Sequence, residues 1–306
     1  MIFNLPETID ASLFTTLPAH FRVAETSTWS LANMGGRAID SFLEGPSFDR
    51  NGQLHVVDIP NGRIFRISED GGWELFAQYD GWPNGLKIHR DGDFYVADYR
   101  RGIVRIDPTT REPEFLLETR DSEGFKGCND LFFTSDGALY FTDQGQTGLH
   151  DPTGRVFRMD AEGRLAMLVA TVPSPNGIVA NLAQDQIFVA ATRGNAIWRL
   201  PLLKEGQVSK VGLFIQLSGG IAGPDGLALD AEGGVLVCQV GLGVLRYDAL
   251  GLLTHVVRSP AGVLWTNLAF GTGDHHRLFL VDSVGANIHT ATMPVPGTVL
   301  FSHLLT

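Results

Sequence analysis

A short polar anchor returns six times along this chain, and it constrains the fold more tightly than any other feature. Glu44-Gly45-Pro46, Pro83-Asn84-Gly85, Cys128-Asn129-Asp130, Pro175-Asn176-Gly177, Pro224-Asp225-Gly226 and Thr266-Asn267 follow one another at intervals of 40, 45, 47, 49 and 42 residues, counted between the polar side chains. Each anchor opens an apolar run. A second apolar run follows, over 54–59, 94–97, 139–142, 187–190, 235–238 and 278–281. A third, over 64–67, 103–106, 156–159, 197–200 and 244–247, carries an arginine in its third place, with His289 standing there in the sixth repeat. Asn51-Gly52, Asp91-Gly92 and Asp136-Gly137 separate the runs, and such pairs turn hairpins because Asn and Gly tolerate positive φ. A repeat of this length with about four strands is a propeller blade. The expectation is one all-β domain over 1–306, a six-bladed β-propeller of about four antiparallel strands per blade. Blades start near 42, 82, 127, 174, 223 and 265. Residues 1 to about 18 form an extension, and the stretch 21–29 pairs with the last blade, because closing the ring removes a strand edge.

Composition excludes several functions. With 23 Lys and Arg against 34 Asp and Glu, the net charge is −11, which repels a phosphate backbone and argues against nucleic-acid binding. No stretch has the roughly 18 uninterrupted apolar residues of a membrane span. The first residues lack the basic and apolar regions of a secretory signal, so a cytoplasmic address is expected. Two cysteines, Cys128 and Cys238, are too few for a disulfide framework. Glycine at 36 of 306 residues agrees with many tight turns.

In a propeller the first strand of every blade lines a central channel, so the six anchors converge on one mouth. Gly and Pro explain a turn, but a turn does not require Glu in the first repeat and Asp in the fifth. Glu44 and Asp225 with side-chain amides make an all-oxygen set suited to one divalent cation, calcium first, with magnesium, manganese or zinc open. Without a cation, clustered carboxylates repel and one takes up a proton. No His-Glu-x-x-His, Gly-x-Ser-x-Gly or phosphate-binding glycine loop competes. Asp58, Asp98, Asp143 and Asp282 recur at the ends of second strands and read as structural acceptors of backbone N–H groups. The repeated arginines cover outer strands or pair with those carboxylates. Cys128 reads as a packed residue pointing away from the channel.

These motifs resemble the gluconolactonase, regucalcin (senescence marker protein) and luciferin-regenerating-enzyme family, over about residues 40 to 290. Glu44-Gly45-Pro46, Cys128-Asn129-Asp130 with the following Ser135-Asp136-Gly137-x-Leu139-Tyr140-Phe141-Thr142-Asp143, Pro175-Asn176-Gly177 and Pro224-Asp225-Gly226 carry the resemblance. It implies a six-bladed propeller with metal ligands at Glu44, Asn129, Asn176 and Asp225. It also implies lactone hydrolysis, in which the cation polarises the carbonyl and water is deprotonated by Asp225, the catalytic residue, or by a hydroxide on the cation. Substrate contacts fall to Asn84, Asn129, Lys126, Trp82, His150 and Asn267. The chain departs from vertebrate sugar lactonases where they carry Arg two residues before the Asn-Asp pair: Gly127 and Lys126 stand in that region, and the ring preference stays open. The long loop 144–154, with His150, is a candidate for substrate choice. The expected partner is a small sugar-acid-like or other γ/δ lactone, with a homo-oligomer possible. An organophosphate or aryl-ester hydrolase on the same site, and a non-catalytic binding platform, are the alternatives.

Overall fold

Every anchor opens the innermost strand of a small antiparallel sheet. In a computed structural model describing residues 5–203 and 206–304, these strands are Leu43–Phe48, Pro83–Ile88, Cys128–Phe133, Pro175–Ala180, Pro224–Leu229 and Trp265–Phe270. They pack side by side in chain order, and the sixth returns to the first. The result is a six-bladed β-propeller with at least four strands in each blade. Apolar side chains fill the layers between blades: Val56, Phe65 and Val281 lie in one such cluster, Leu86, Val96 and Val104 in the next. Pairing shifts register just after the anchor in all six inner strands. Such bulges re-aim side chains, here at the start of the strand, where the polar residues sit.

Ring closure happens, but with a different segment from the one expected. Ser12–Thr16 pairs antiparallel with Asn287–Thr292 as the outer strand of blade six, while Glu7–Ile9 adds a parallel fifth strand to Leu253–Arg258 of blade five. The described part of the 1–18 stretch is therefore two edge strands, not an extension; residues 1–4 lie outside the described residues. Side chains explain the choice. Phe14 meets Phe279 edge-on at 5.5 Å, and Trp73 donates its indole N–H to the Thr15 hydroxyl at 2.9 Å. The 21–29 stretch instead leads into the helix Thr28–Asn33, whose N-terminus Ser27 caps through a reciprocal bond with Ser30. Trp29 anchors that helix against Phe42, with ring centroids 4.8 Å apart.

The recurrent aspartates pin the loops at the anchor end of the channel. Asp58 accepts the Phe42 N–H, Asp98 those of Arg100 and Arg101, Asp143 that of Gly127, and Asp282 those of Leu264 and Gly285. Their arginine partners are Arg63 and Arg155, at the start of the third strands. The repeated arginines reach other carboxylates: Arg66 pairs with Glu74, Arg105 with Glu114 and Arg246 with Asp230. In a strand, residues three apart face opposite sides, so the two arginine sets serve different neighbours. At the far end of the channel the chain's last described residues cross over the inner strands, held by Ser302 to Phe48 O and by Arg50 to Ser302 O. Among the described residues no helix is long and apolar enough to cross a membrane.

Candidate active site at the channel mouth

Strand register defines the ring of anchors. Leu43, Pro83, Cys128, Pro175, Pro224 and Trp265 each stand opposite the last residue of their blade's second strand. The next residues are therefore equivalent: Glu44, Asn84, Asn129, Asn176, Asp225 and Thr266. Thr266, not Asn267, holds the sixth place. One step deeper stand Gly45, Gly85, Asp130, Gly177, Gly226 and Asn267. The glycines are needed because the strands touch there: a Cβ on Gly85 would lie 2.9 Å from Asp130 Oδ1, and one on Gly226 would lie 2.4 Å from Asn267 Oδ1. Asp130 and Asn267, on opposite blades, occupy space that the glycines leave.

Two carboxylates share this mouth without a close basic partner among the described residues. Glu44 is 4% exposed and Asp225 is half-buried. Burial pushes the Glu44 carboxyl up to about 7, with the charge of Asp130 adding to the rise, while bonds from Thr266, Gly45 and Asn267 pull against it. Burial likewise raises Asp225 well above the carboxylate range, reinforced by Glu44 and Asp130; the Asn176 amide and the charge of Arg193 oppose it. Asp130 is also raised by burial, although Lys87 stands 3.9 Å away. Two acids held together at this cost favour a bound proton or a positive charge between them.

The amides fit the same purpose. Asn129 donates its N–H to Gln144 Oε1 at 3.0 Å, and Gln144 passes a bond to Ser174 Oγ at 3.0 Å. With its nitrogen engaged outward, Asn129 has its carbonyl oxygen left as a donor to a cation. Among the described residues no three His, Cys, Asp or Glu side chains gather as a ligand cluster. A cation here would rest on Glu44 and Asp225 completed by the oxygens of Asn129 and Asn176, a hard set of the kind calcium and magnesium take. The donor chemistry therefore fits one divalent ion.

A cavity of about 590 Å³ opens beside the ring, next to Gln144, whose side chain holds Asn129. Tyr99, Gln144, Ser174 and Arg193 line it together with His150 of the 144–154 loop, and Asn33 reaches it from the helix Thr28–Asn33. Gln146 ties the lining together, donating to Tyr99 Oη at 2.9 Å and Asn33 Oδ1 at 3.1 Å. Gly127 is explained here: at φ +151 it lies under the Tyr99 ring, and a Cβ there would come within 2.6 Å of Tyr99 Cζ.

The other sequence candidates take different places. Trp82 is half-buried beside Tyr99, centroids 6.2 Å apart, with Arg100 over its ring. Lys126 is exposed and donates to the Thr153 hydroxyl, holding the base of the 144–154 loop. Asn267 is 3% exposed, with its N–H on Glu44 and its oxygen on the Leu268 N–H. Asn84 is half-buried in the ring itself. The anchor pattern does not point to Tyr99, Gln144, Ser174 or Arg193. A signal exists for two of them: Tyr99 and Gln144 directly follow Asp98 and Asp143, so the repeat that aligns the aspartates also aligns the rim.

The SMP-30/gluconolactonase/LRE-like region, as a family pattern, matches residues 42–283. A gluconolactonase of Zymomonas mobilis is 28% identical over 259 residues, which cover 74% of this chain and 72% of that protein. The lactonase drp35 of Staphylococcus aureus is 28% identical over 221 residues, 68% and 67% of the two chains. The crystal structure of regucalcin from Agrobacterium tumefaciens, described as a calcium-binding protein, superposes with a TM-score of 0.78 at 21% identity, covering 98% of this chain and 100% of that one. At that identity the superposition speaks for the fold alone.

Proposed function

The chain belongs to the SMP-30/gluconolactonase/LRE-like family, and from that premise we propose that it hydrolyses a small lactone to the hydroxy acid with one divalent cation at the channel mouth. The observation that carries this reading is the pairing of a buried carboxylate, Glu44, with a half-buried one, Asp225, in the ring of anchors. The gluconolactonase and lactonase names of its relatives supply the substrate class.

Glu44, Asp225, Asn129 and Asn176 would hold the cation, calcium in first place. When bound, the cation supplies a positive charge that polarises the lactone carbonyl and offsets the negative charge developing on its oxygen. Asp225 accepts the proton of the attacking water, since of the two carboxylates it is the less buried. As the ring C–O bond breaks, the same carboxyl returns that proton to the departing oxygen, so the products are a carboxylic acid, which releases its proton to solvent, and an alcohol on one chain. Asn129, steadied by Gln144 and Ser174, keeps its oxygen directed inward. Asn267 and Thr266 position Glu44 rather than touch substrate.

A substrate panel tests the reading. It includes sugar-acid lactones, simple γ- and δ-lactones, an aryl ester and a phosphotriester, each followed by proton release. Lactones turned over in preference to the ester and phosphotriester support the proposal. A preference for the phosphotriester moves the function to organophosphate hydrolysis, and folded protein inert toward all four classes leaves a binding platform.

A further inference from the structure

The cavity wall carries one permanent charge. Among its described lining residues only Arg193 holds a guanidinium, the only other basic group is His150, and none is acidic. Arg193 sits on the turn Thr192–Gly194, which follows the second strand of blade four, Gln186–Ala191. The turn is firmly placed: the Thr192 hydroxyl donates to Pro224 O at 2.7 Å, and the Arg193 N–H donates to Pro173 O at 3.3 Å. The side chain runs beside the 144–154 loop, where a Cβ on Gly148 would stand 3.6 Å from Arg193 Cγ.

The guanidinium itself is underused. A guanidinium has five N–H donors, and here one bond is made, from Nη1 to Ala222 O at 3.3 Å. No carboxylate pairs with it among the described residues, although the chain has a surplus of acids and Arg63, Arg155 and Arg246 are all paired. A fixed, exposed arginine with free donors at the edge of a cavity is poised for a planar anion. The cavity volume lies in the range that holds ligands larger than a bare lactone ring. The remaining polar lining supplies amides and hydroxyls, which bind neutral groups and leave charge recognition to Arg193.

We propose that Arg193 is a specificity-determining residue that binds a carboxylate carried by the substrate away from its ester, so that the preferred lactone is that of a dicarboxylic hydroxy acid. One guanidinium matches one negative charge, which favours a carboxylate over a phosphate dianion. The inference rests on the lactonase reading and adds the substrate's second functional group to it.

The test compares kcat/KM for a carboxylate-bearing lactone with that for its carboxamide counterpart, in wild type, Arg193→Lys, Arg193→Ala and Arg193→Glu. In wild type the carboxylate is preferred at least about 10-fold, mainly through KM. Arg193→Ala lowers that ratio by about 10- to 100-fold, Arg193→Lys restores part of it, and Arg193→Glu inverts it. A ratio that stays constant across the four proteins overturns the inference, as does an Arg193→Glu variant that loses both substrates equally. In those cases turnover by wild type leaves the lactonase reading standing. If wild type turns over neither these lactones nor any in the broader panel, the reaction itself is misassigned and this inference falls with it.

Discussion

Asn267 donates its side-chain N–H to Glu44 Oε2 at 2.8 Å, from the last blade to the first across the seam of the ring. The bond is buried, and the Gly45 N–H reaches the same oxygen at 3.0 Å. These two donors on Oε2, with Thr266 as a further partner of the carboxyl, favour the ionised form of an acid that burial would otherwise keep protonated.

Asn267→Ala removes one of those donors. The Glu44 carboxyl then rises above its present value of about 7, and calcium affinity at neutral pH weakens. A hydrogen bond to a charged group is worth about 1.5–3 kcal/mol, so a loss of roughly 10- to 100-fold is expected. Calorimetric titration with calcium measures it, with circular dichroism as the check on folding. Unchanged affinity in a folded variant contradicts the positioning role.

Asp225→Asn keeps the size and shape of the side chain but removes the base. Turnover falls by about 10²- to 10⁴-fold, the usual contribution of a positioned general base. The fold survives, because Asp225 is half-buried and a buried like-charge repulsion is relieved. Steady-state kcat at saturating calcium reads this directly. A variant with unchanged kcat would deny Asp225 its role.

Cation-free protein loses stability as pH rises from about 4.5 to about 7. The Glu44 carboxyl has its ordinary value of 4.5 in the unfolded chain and about 7 in the fold, chiefly through burial. Between these values the native state holds a proton that the unfolded chain has released. The associated stability is fully present below 4.5 and lost as pH passes 7. Asp225, raised for the same first reason, acts in the same direction. Melting of chelated protein across this window shows the slope, Glu44→Gln reduces it, and saturating calcium, which binds the deprotonated pair, cancels it. A chelated wild type whose slope equals that of Glu44→Gln contradicts the account.

Gly127→Ala destabilises the protein and disturbs the cavity. The added Cβ falls within 2.6–2.7 Å of three Tyr99 ring atoms, and φ of +151 already disfavours a side chain. A loss of about 1–3 kcal/mol follows, seen as a lower melting temperature. Alanine at unchanged melting temperature would mean that Tyr99 swings away freely.

Six blades were legible because Glu44, Asn84, Asn129, Asn176 and Asp225 recur at near-constant spacing, and each must open a strand on the channel. The closing strand was not legible: Ser12–Thr16 is short and mostly polar with no alternation, and its worth lies in Phe14 and Thr15 meeting partners from blades six and one. Ring chemistry could be read from residue types, but not the one-residue offset that puts Thr266 beside Glu44 and Asn267 beneath it, because a bulge shifts register without leaving a mark in composition. Arg193 and Ser174 stayed hidden for another reason. They sit on loops between strands, and only the arrangement of three blades around the axis brings them to one cavity.

The central claim is that an oxygen-ligated cation at Glu44 and Asp225 enables lactone hydrolysis. It is tested most directly by kcat/KM for one accepted lactone, measured on chelator-stripped protein before and after calcium is restored. The account predicts activity near the uncatalysed rate when stripped and full recovery on calcium addition, with no recovery in Asp225→Asn. Undiminished turnover in fully stripped, folded protein would contradict it.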